Sequence, residues 1–187
     1  MLPSNDAVEG DLWVFGYGSL IWNPGFSYAE RVPAKLIGAH RSFCVRSIHW
    51  RGTPQAPGLV LGLDQGGACV GVAFRVEEAN AGRTLAYLRE REQVTNIYRE
   101  VARRVWLRDG TSRAVRAVTF VVDRGHAQYA GGLSRADRLA LIRQGHGHGG
   151  PNADYVRATA QHLAELGIRD EEISWLDERL GPLTPAP

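Results

Sequence analysis

The chain has 187 residues, which suits one domain with a sizeable core, and we predict a single domain over residues 1–187 with its core at about 12–180 and loose ends. Hydrophobic residues make up 44% and charged residues 22%, as in ordinary globular proteins. The formal net charge of +2 lacks the strong basic excess of nucleic-acid-binding or membrane-binding surfaces, so we expect neither kind of partner.

Strand-like segments fill the first half of the sequence. An apolar run over residues 12–17 ends at a glycine, and residues 34–47 contain two or more strand segments. Two short strands are predicted next, over residues 59–63 and 69–76. In the second of these the apolar residues alternate, which is typical of a strand with one buried face.

The second half begins with a helix and ends with three more. Apolar spacing predicts a helix over residues 77–93 and strands over 101–107 and 115–122. Capping residues and glycine stops predict three final helices, at residues 134–143, 152–166 and 170–179. This order predicts an α+β domain with a largely antiparallel or mixed sheet that can close as a small barrel.

A glycine-spaced turn follows the first predicted strand. In the stretch VFGYGSLIW, Gly16 and Gly18 flank Tyr17. The turn lacks the lysine of a P-loop and the G-x-S-x-G pattern of an esterase, and Ile21 stands where a dinucleotide fingerprint needs its third glycine. Two interpretations remain open: a tight turn needed for packing, or a turn whose N–H groups bind an anion or a carbonyl oxygen.

Glu92 continues the apolar stripe of the predicted helix, because it lies seven residues after Leu85 and four after Leu88. Residues 89–91 lie off that stripe and can meet water. An inward carboxylate is costly unless it is paired or functional, and desolvation would raise its pKa toward that of a general base working near neutral pH. Alternatively, the side chain swings outward at the helix end or pairs with a nearby arginine.

Histidine and tyrosine candidates lie late in the sequence. The run GHGHGG contains His146 and His148, but two histidines without a third ligand nearby are weak evidence for a metal, and glycine flexibility explains the run equally well. Tyr155 follows this run and shares a helix face with Thr159 and Leu163. It is either a core tyrosine or one whose hydroxyl reaches a pocket.

Cysteine use and terminal composition bear on the compartment. Cys44 and Cys69 lie in apolar runs without a C-x-x-C pair, so we expect buried thiols rather than ligands or nucleophiles. The first ten residues lack a basic start and an apolar core, so we do not expect them to form a signal peptide, and no apolar run approaches the ~20 residues that span a bilayer. We therefore expect a soluble, cytoplasmic protein.

Four segments, in order, resemble the ChaC-type γ-glutamylcyclotransferases, which are the glutathione-degrading members of the wider γ-glutamylcyclotransferase-like group. They are FGYGSLIW, RGTPQAPG, YLREREQ and GHGGPNADYV, and the resemblance spans about residues 12–180. It implies a small mixed β-barrel with flanking helices and a reaction without cofactor or metal. Many members carry an acidic residue and then histidine before RGTP, whereas this chain has Ile48, His49 and Trp50, so no role for His49 is implied.

The same resemblance implies roles for particular residues. Glu92 matches the family's catalytic glutamate, and Tyr155 matches a tyrosine near the substrate. The loop that grips the γ-glutamyl group through its backbone consists of Tyr17, Gly18, Ser19 and Leu20. The implied reaction cyclises the γ-glutamyl group of glutathione, a small-molecule substrate, to 5-oxoproline and releases cysteinylglycine. Other γ-glutamyl amino acids or amines as substrates, a non-catalytic γ-glutamyl-binding module and a metal-dependent hydrolase remain alternatives, and the oligomeric state is not predicted.

Overall fold

The computed structural model describes most of the chain: residues 10–92, 96–111 and 113–181. Contacts divide these residues into two compact units. Of the described residues, those up to 41 and those within 62–123 form the first unit, and those within 42–61 and from 124 onward form the second. The single domain expected from the sequence stays a prediction.

The first unit is built on a closed barrel with the strand order β1-β3-β2-β4-β5. The strands are β1 (Leu12–Gly16), β2 (Glu30–Ser47), β3 (Gly58–Val76), β4 (Tyr98–Leu107) and β5 (Ala114–Val122), and β2 and β3 contribute residues to both units. Strand β1 pairs antiparallel with β3 and parallel with β5, while β4 and β5 are antiparallel. The α+β fold with a small mixed barrel is therefore confirmed.

The barrel core is aromatic and aliphatic. All five residues of β1 are buried, and the fully buried aromatic side chains of this unit are Phe15, Phe74 and Phe120. Thr119 of β5 is also fully buried, but its hydroxyl donates to the carbonyl of Phe15 at 3.0 Å, so this polar group is satisfied. The end of β1, where the glycine turn begins, is thereby attached to β5.

The predicted breaks within the long strands are wrong. The two strands expected over residues 59–63 and 69–76 form one continuous strand, and β2 is likewise a single strand. At the predicted break, Gly66 and Gly67 are exposed and take positive φ angles of 94° and 69°. Glycine adopts this conformation at little steric cost, so the strand continues through the segment.

Helix α1 (Glu78–Glu92) belongs to the first unit and matches the predicted helix, whose expected last residue, Gln93, lies outside the described residues. Leu85 and Leu88 are 5% and 0% exposed, so the predicted apolar stripe is confirmed. Cys44 and Cys69 are buried thiols that are not joined in a disulfide, as expected.

The second unit is mainly helical. It contains the helices α2 (Arg135–Gln144), α3 (Asn152–Glu165) and α4 (Glu171–Leu180), and a short hairpin of β6 (His146–Gly147) and β7 (Gly150–Pro151). The predicted cap at Ser134 is confirmed, because its hydroxyl accepts from the N–H of Asp137 at 3.1 Å. None of the helices in the described part of the chain has the length and apolar character needed to cross a membrane.

Candidate functional site

The loop after β1 is a tight helical turn. The strand ends at Gly16, and the chain enters a 3₁₀ helix, Ser19–Ile21, in which the N–H of Ile21 donates to the carbonyl of Gly18 at 2.9 Å. The first N–H groups of a helix have no acceptor within it, and here they belong to Ser19 and Leu20. These groups are the donors that an anion-binding or carbonyl-binding turn would use.

Two glycines allow the end of β1 to lie close to the loop and to the neighbouring strand β3. A Cβ at Gly16 would lie 3.1 Å from the Cβ of Leu20 and 3.4 Å from the ring of Phe74. A Cβ at Gly71, on the neighbouring strand β3, would overlap the carbonyl oxygen of Gly16. Gly16 therefore has the packing role that the sequence left open.

Two arginines of β2 hold the backbone of the loop. Arg41 is only 7% exposed, and its guanidinium donates to the carbonyls of Tyr17 at 2.5 Å and Val70 at 2.7 Å. Arg31 donates to the carbonyl of Ile21 at 3.1 Å. Arginine is rarely buried unless its donors are satisfied, so Arg41 acts as a fixed support for the start of the loop.

Glu92 is the last residue of α1, and its side chain is 18% exposed. The inward position predicted from its spacing is thus confirmed, and so is the pairing offered as an alternative, because Oε1 lies 3.3 Å from Nε of Arg91. Burial raises the pKa of the Glu92 carboxyl above its ordinary value, and the positive charge of Arg91 offsets part of that rise. The carboxyl is therefore shielded and holds its proton more tightly than an exposed glutamate.

Arg91 joins the loop to Glu92. Its Nη2 donates to the hydroxyl of Ser19 at 2.9 Å, while its Nε faces the Glu92 carboxylate, so one guanidinium brings these two predicted site residues together. Residue 91 can meet water, as its spacing predicts, but only in part: the side chain of Arg91 is 20% exposed. Helical spacing places it off the buried stripe but does not reveal the loop that covers that face.

Tyr155 lies in the second unit, on α3. Its ring packs edge-on against Phe43 with centroids 6.1 Å apart, and the guanidinium of Arg51 lies 5.5 Å from its ring centroid. Its carbonyl accepts from the hydroxyl of Thr159 at 2.7 Å. Its role near a substrate stays a prediction.

The histidine–glycine run forms the β6–β7 hairpin of the second unit. Arg51 donates to the carbonyl of Gly149 in this hairpin, and the ring of His148 packs edge-on against His49 at 5.5 Å. Over the residues that the structure describes, no group of three or more His, Cys, Asp or Glu side chains is arranged to hold a metal ion.

Known proteins resemble this chain over nearly its whole length. It is 39% identical over 167 residues to the glutathione-specific γ-glutamylcyclotransferase of Escherichia coli, a match that covers 89% of this chain and 71% of the relative. The protein of the same name from Schizosaccharomyces pombe is 32% identical over 184 residues, which covers 88% of this chain and 89% of the relative.

A solved structure and a family model agree with these relatives. The crystal structure of a yeast γ-glutamyl cyclotransferase specific to glutathione superposes with a TM-score of 0.81 at 23% identity, covers 92% of this chain and 96% of the yeast chain, and supports the fold. The sequence model of the family described as ChaC-like protein matches residues 12–181. The resemblance first seen in four short segments is confirmed: the chain belongs to the ChaC-like protein family.

Proposed function

We propose that the chain is a glutathione-specific γ-glutamylcyclotransferase, a carbon–nitrogen lyase that converts glutathione into 5-oxoproline and cysteinylglycine. The observation that carries this proposal is the position of Glu92, a shielded carboxyl with a raised pKa that one guanidinium joins to the loop of residues 17–20. Relatives with this name, at up to 39% identity, support it.

The substrate supplies its own nucleophile. The nitrogen of the γ-glutamyl α-amine attacks the γ-carbonyl carbon, and the new C–N bond closes a five-membered lactam. The amide bond to cysteine breaks and its nitrogen leaves with cysteinylglycine, so no water, cofactor or metal is consumed. Well-oriented intramolecular reactions reach effective molarities on the order of 10⁵ to 10⁸ M, so holding the substrate in a ring-closing shape is a large part of catalysis.

Glu92 is proposed to carry the proton. In water the α-amine is an ammonium and must lose a proton before it attacks. Glu92 takes that proton and later donates one to the departing amide nitrogen, an effect worth about 10² to 10⁴-fold. The raised pKa suits both steps, because it brings the proton affinity of the carboxyl closer to that of its partners near neutral pH.

The loop is proposed to hold the γ-glutamyl group. Its residues are Tyr17, Gly18, Ser19 and Leu20. The backbone N–H groups at the start of the 3₁₀ helix would meet the negative charge that develops on the γ-carbonyl oxygen, and losing one such donor typically costs about 10² to 10³-fold. Tyr155 keeps, as a proposal, the substrate-binding role that its family match implies.

The activity test compares wild type with Glu92→Gln and measures 5-oxoproline formed from glutathione. The amide keeps the shape of the side chain but cannot transfer the proton, so we expect a loss of at least about 10²-fold. Glu90→Gln is the matched control: it removes the same charge from an exposed position of the same helix and should leave the rate unchanged. Circular dichroism confirms that each variant is folded. Equal turnover by wild type and Glu92→Gln would refute the proposal.

The alternatives are separated by the same assay. The loop and Glu92 would contact the γ-glutamyl half, which all candidate substrates share, so glutathione and γ-glutamyl-alanine are compared side by side. We expect glutathione to be preferred; a preference for γ-glutamyl-alanine would reassign the substrate. A chelator should leave turnover unchanged, whereas loss of turnover would favour a metal-dependent hydrolase that uses His146 and His148. A binding module would bind glutathione and form no product.

We also propose that the enzyme acts in the cytoplasm on a small molecule. Cys44 and Cys69 are buried thiols that are not joined in a disulfide, which suits a reducing compartment. Fractionation of the source cells should recover the protein with cytosolic markers, and recovery with an extracytoplasmic fraction would contradict this assignment.

A further inference from the structure

Arg91, at the end of α1, binds several points of the loop segment that follows β1. Its Nη1 donates to the carbonyls of Asn23 at 2.6 Å and Pro24 at 3.3 Å, and its Nη2 donates to the hydroxyl of Ser19 at 2.9 Å. A single side chain thus holds both the first residue of the 3₁₀ helix and the residues that follow that helix.

Tyr87, one turn earlier on α1, fixes the direction of this guanidinium. Its hydroxyl accepts from Nη1 of Arg91 at 3.0 Å. Gly25 packs directly against that hydroxyl: its φ is 75°, and a Cβ there would overlap the Tyr87 side chain. The ring of Phe26 packs edge-on against Tyr87, with centroids 6.4 Å apart. The loop and α1 therefore contact each other through packing as well as through hydrogen bonds.

The same guanidinium reaches the carboxylate of Glu92. Its Nε lies 3.3 Å from Oε1, and the two side chains are only 20% and 18% exposed. An arginine guanidinium is planar, and its donors point in fixed directions. Because the carboxylate and the loop are both bound to this one rigid group, a change in the position of either is transmitted to the other.

We propose that Arg91 is a positioning residue for the cyclisation: it holds the backbone donors of the loop and the carboxylate of Glu92 in one fixed arrangement. This inference rests on the function proposed above. In this proposal Arg91 acts through Ser19 and Glu92, and it is assigned no contact with the reacting atoms. Its role is to keep the oxyanion donors and the base at a constant separation while the substrate closes its ring.

The kinetic test uses Arg91→Met, which keeps the apolar length and removes the donors. We expect kcat for glutathione to fall about 10²-fold, the cost of a small misplacement, while KM changes by only about 2 to 3-fold. Arg91→Lys restores the charge without the planar fork, so it should recover at most roughly a tenth of the wild-type kcat. The matched control is Arg89→Met on the same helix, which removes an ion pair to Glu100 at 2.7 Å and should leave kcat unchanged.

Hydrogen–deuterium exchange provides a readout that does not depend on turnover. The amides of residues 18–25 should exchange about tenfold faster in Arg91→Met and at the wild-type rate in Arg89→Met. Unchanged exchange in Arg91→Met would refute the inference that Arg91 holds the loop in place. Wild-type kcat in that variant would refute the positioning role. If the wild-type protein formed no 5-oxoproline, the proposed function and the positioning role in the cyclisation would both be refuted. Hydrogen–deuterium exchange would still show whether Arg91 holds the loop in place.

Discussion

The side chain of Asn152 makes hydrogen bonds to the backbone of one residue of β3, as a neighbouring strand would. Asn152 begins α3, and its side chain is fully buried. Its Oδ1 accepts from the N–H of Leu59 at 2.6 Å, and its Nδ2 donates to the carbonyl of the same residue at 2.8 Å. Leu59 is itself 0% exposed, so this amide satisfies both of its buried backbone groups.

Substituting Asn152→Ala should be strongly destabilising. It leaves the N–H and the carbonyl of Leu59 buried without these partners, and each unsatisfied group costs about 1–3 kcal/mol. The expected loss is therefore about 2–6 kcal/mol of the free energy of unfolding. Since domains are stable by only about 5–15 kcal/mol, the variant would lose a large part of its stability.

Urea unfolding followed by circular dichroism measures this loss. The control is Gln161→Ala, which removes an amide from the same helix, where it makes an exposed hydrogen bond to Glu165 at 3.0 Å. Its effect should stay within about 0.5 kcal/mol. If Asn152→Ala changed the free energy of unfolding by no more than this control, the inference that its side chain satisfies the buried N–H and carbonyl of Leu59 would be refuted.

Three further predictions concern α1 and the loop beside it. Because burial raises the pKa of Glu92, the acidic limb of the kcat/KM–pH profile should lie above 4.5 and disappear in Glu92→Gln; a limb at or below 4.5 would contradict this. Gly82→Ala should raise the free energy of unfolding by about 0.5–1 kcal/mol in urea titrations, since Gly82 is an exposed helical residue with open space for a Cβ. Gly25→Ala should lower it by at least about 1 kcal/mol, because its φ is 75° and a Cβ would overlap Tyr87, and wild-type stability would contradict the packing described.

Local pattern predicted much of the fold and part of the site. The strand before the glycine turn and the helix that ends at Glu92 were both visible in the sequence, because each depends on residues close together in the chain. The shielding of Glu92 followed from its spacing after Leu85 and Leu88 alone, since helix geometry fixes which residues share a face.

Long-range contacts could not be predicted in the same way. The sequence does not reveal the hydrogen bonds of Arg91, because its partners, Ser19 and Asn23, are about 70 residues away in the sequence. Arg41 has no local pattern that marks it as buried, and it is buried because it donates to carbonyls of two separate segments. The sequence does not reveal the continuity of β3 for a related reason: a glycine pair usually signals a turn, and only pairing with neighbouring strands shows that the strand continues.

The substrate is inferred from the family resemblance and not from local sequence pattern. The residues of the glycine turn leave both packing and binding open, and only the four segments in family order favour the γ-glutamyl group. The structure adds a physical link between the loop and Glu92 through Arg91, which the resemblance did not contain.

The proposed function depends most on where the γ-glutamyl moiety binds, and a crystal structure of the protein with 5-oxoproline measures this directly. We predict that the lactam ring lies against residues 17–20, with its carbonyl oxygen facing the N–H groups of Ser19 and Leu20 and its nitrogen within hydrogen-bond distance of the Glu92 carboxylate. A ring bound elsewhere, out of reach of both the loop and Glu92, would contradict the proposed roles of the loop and Glu92.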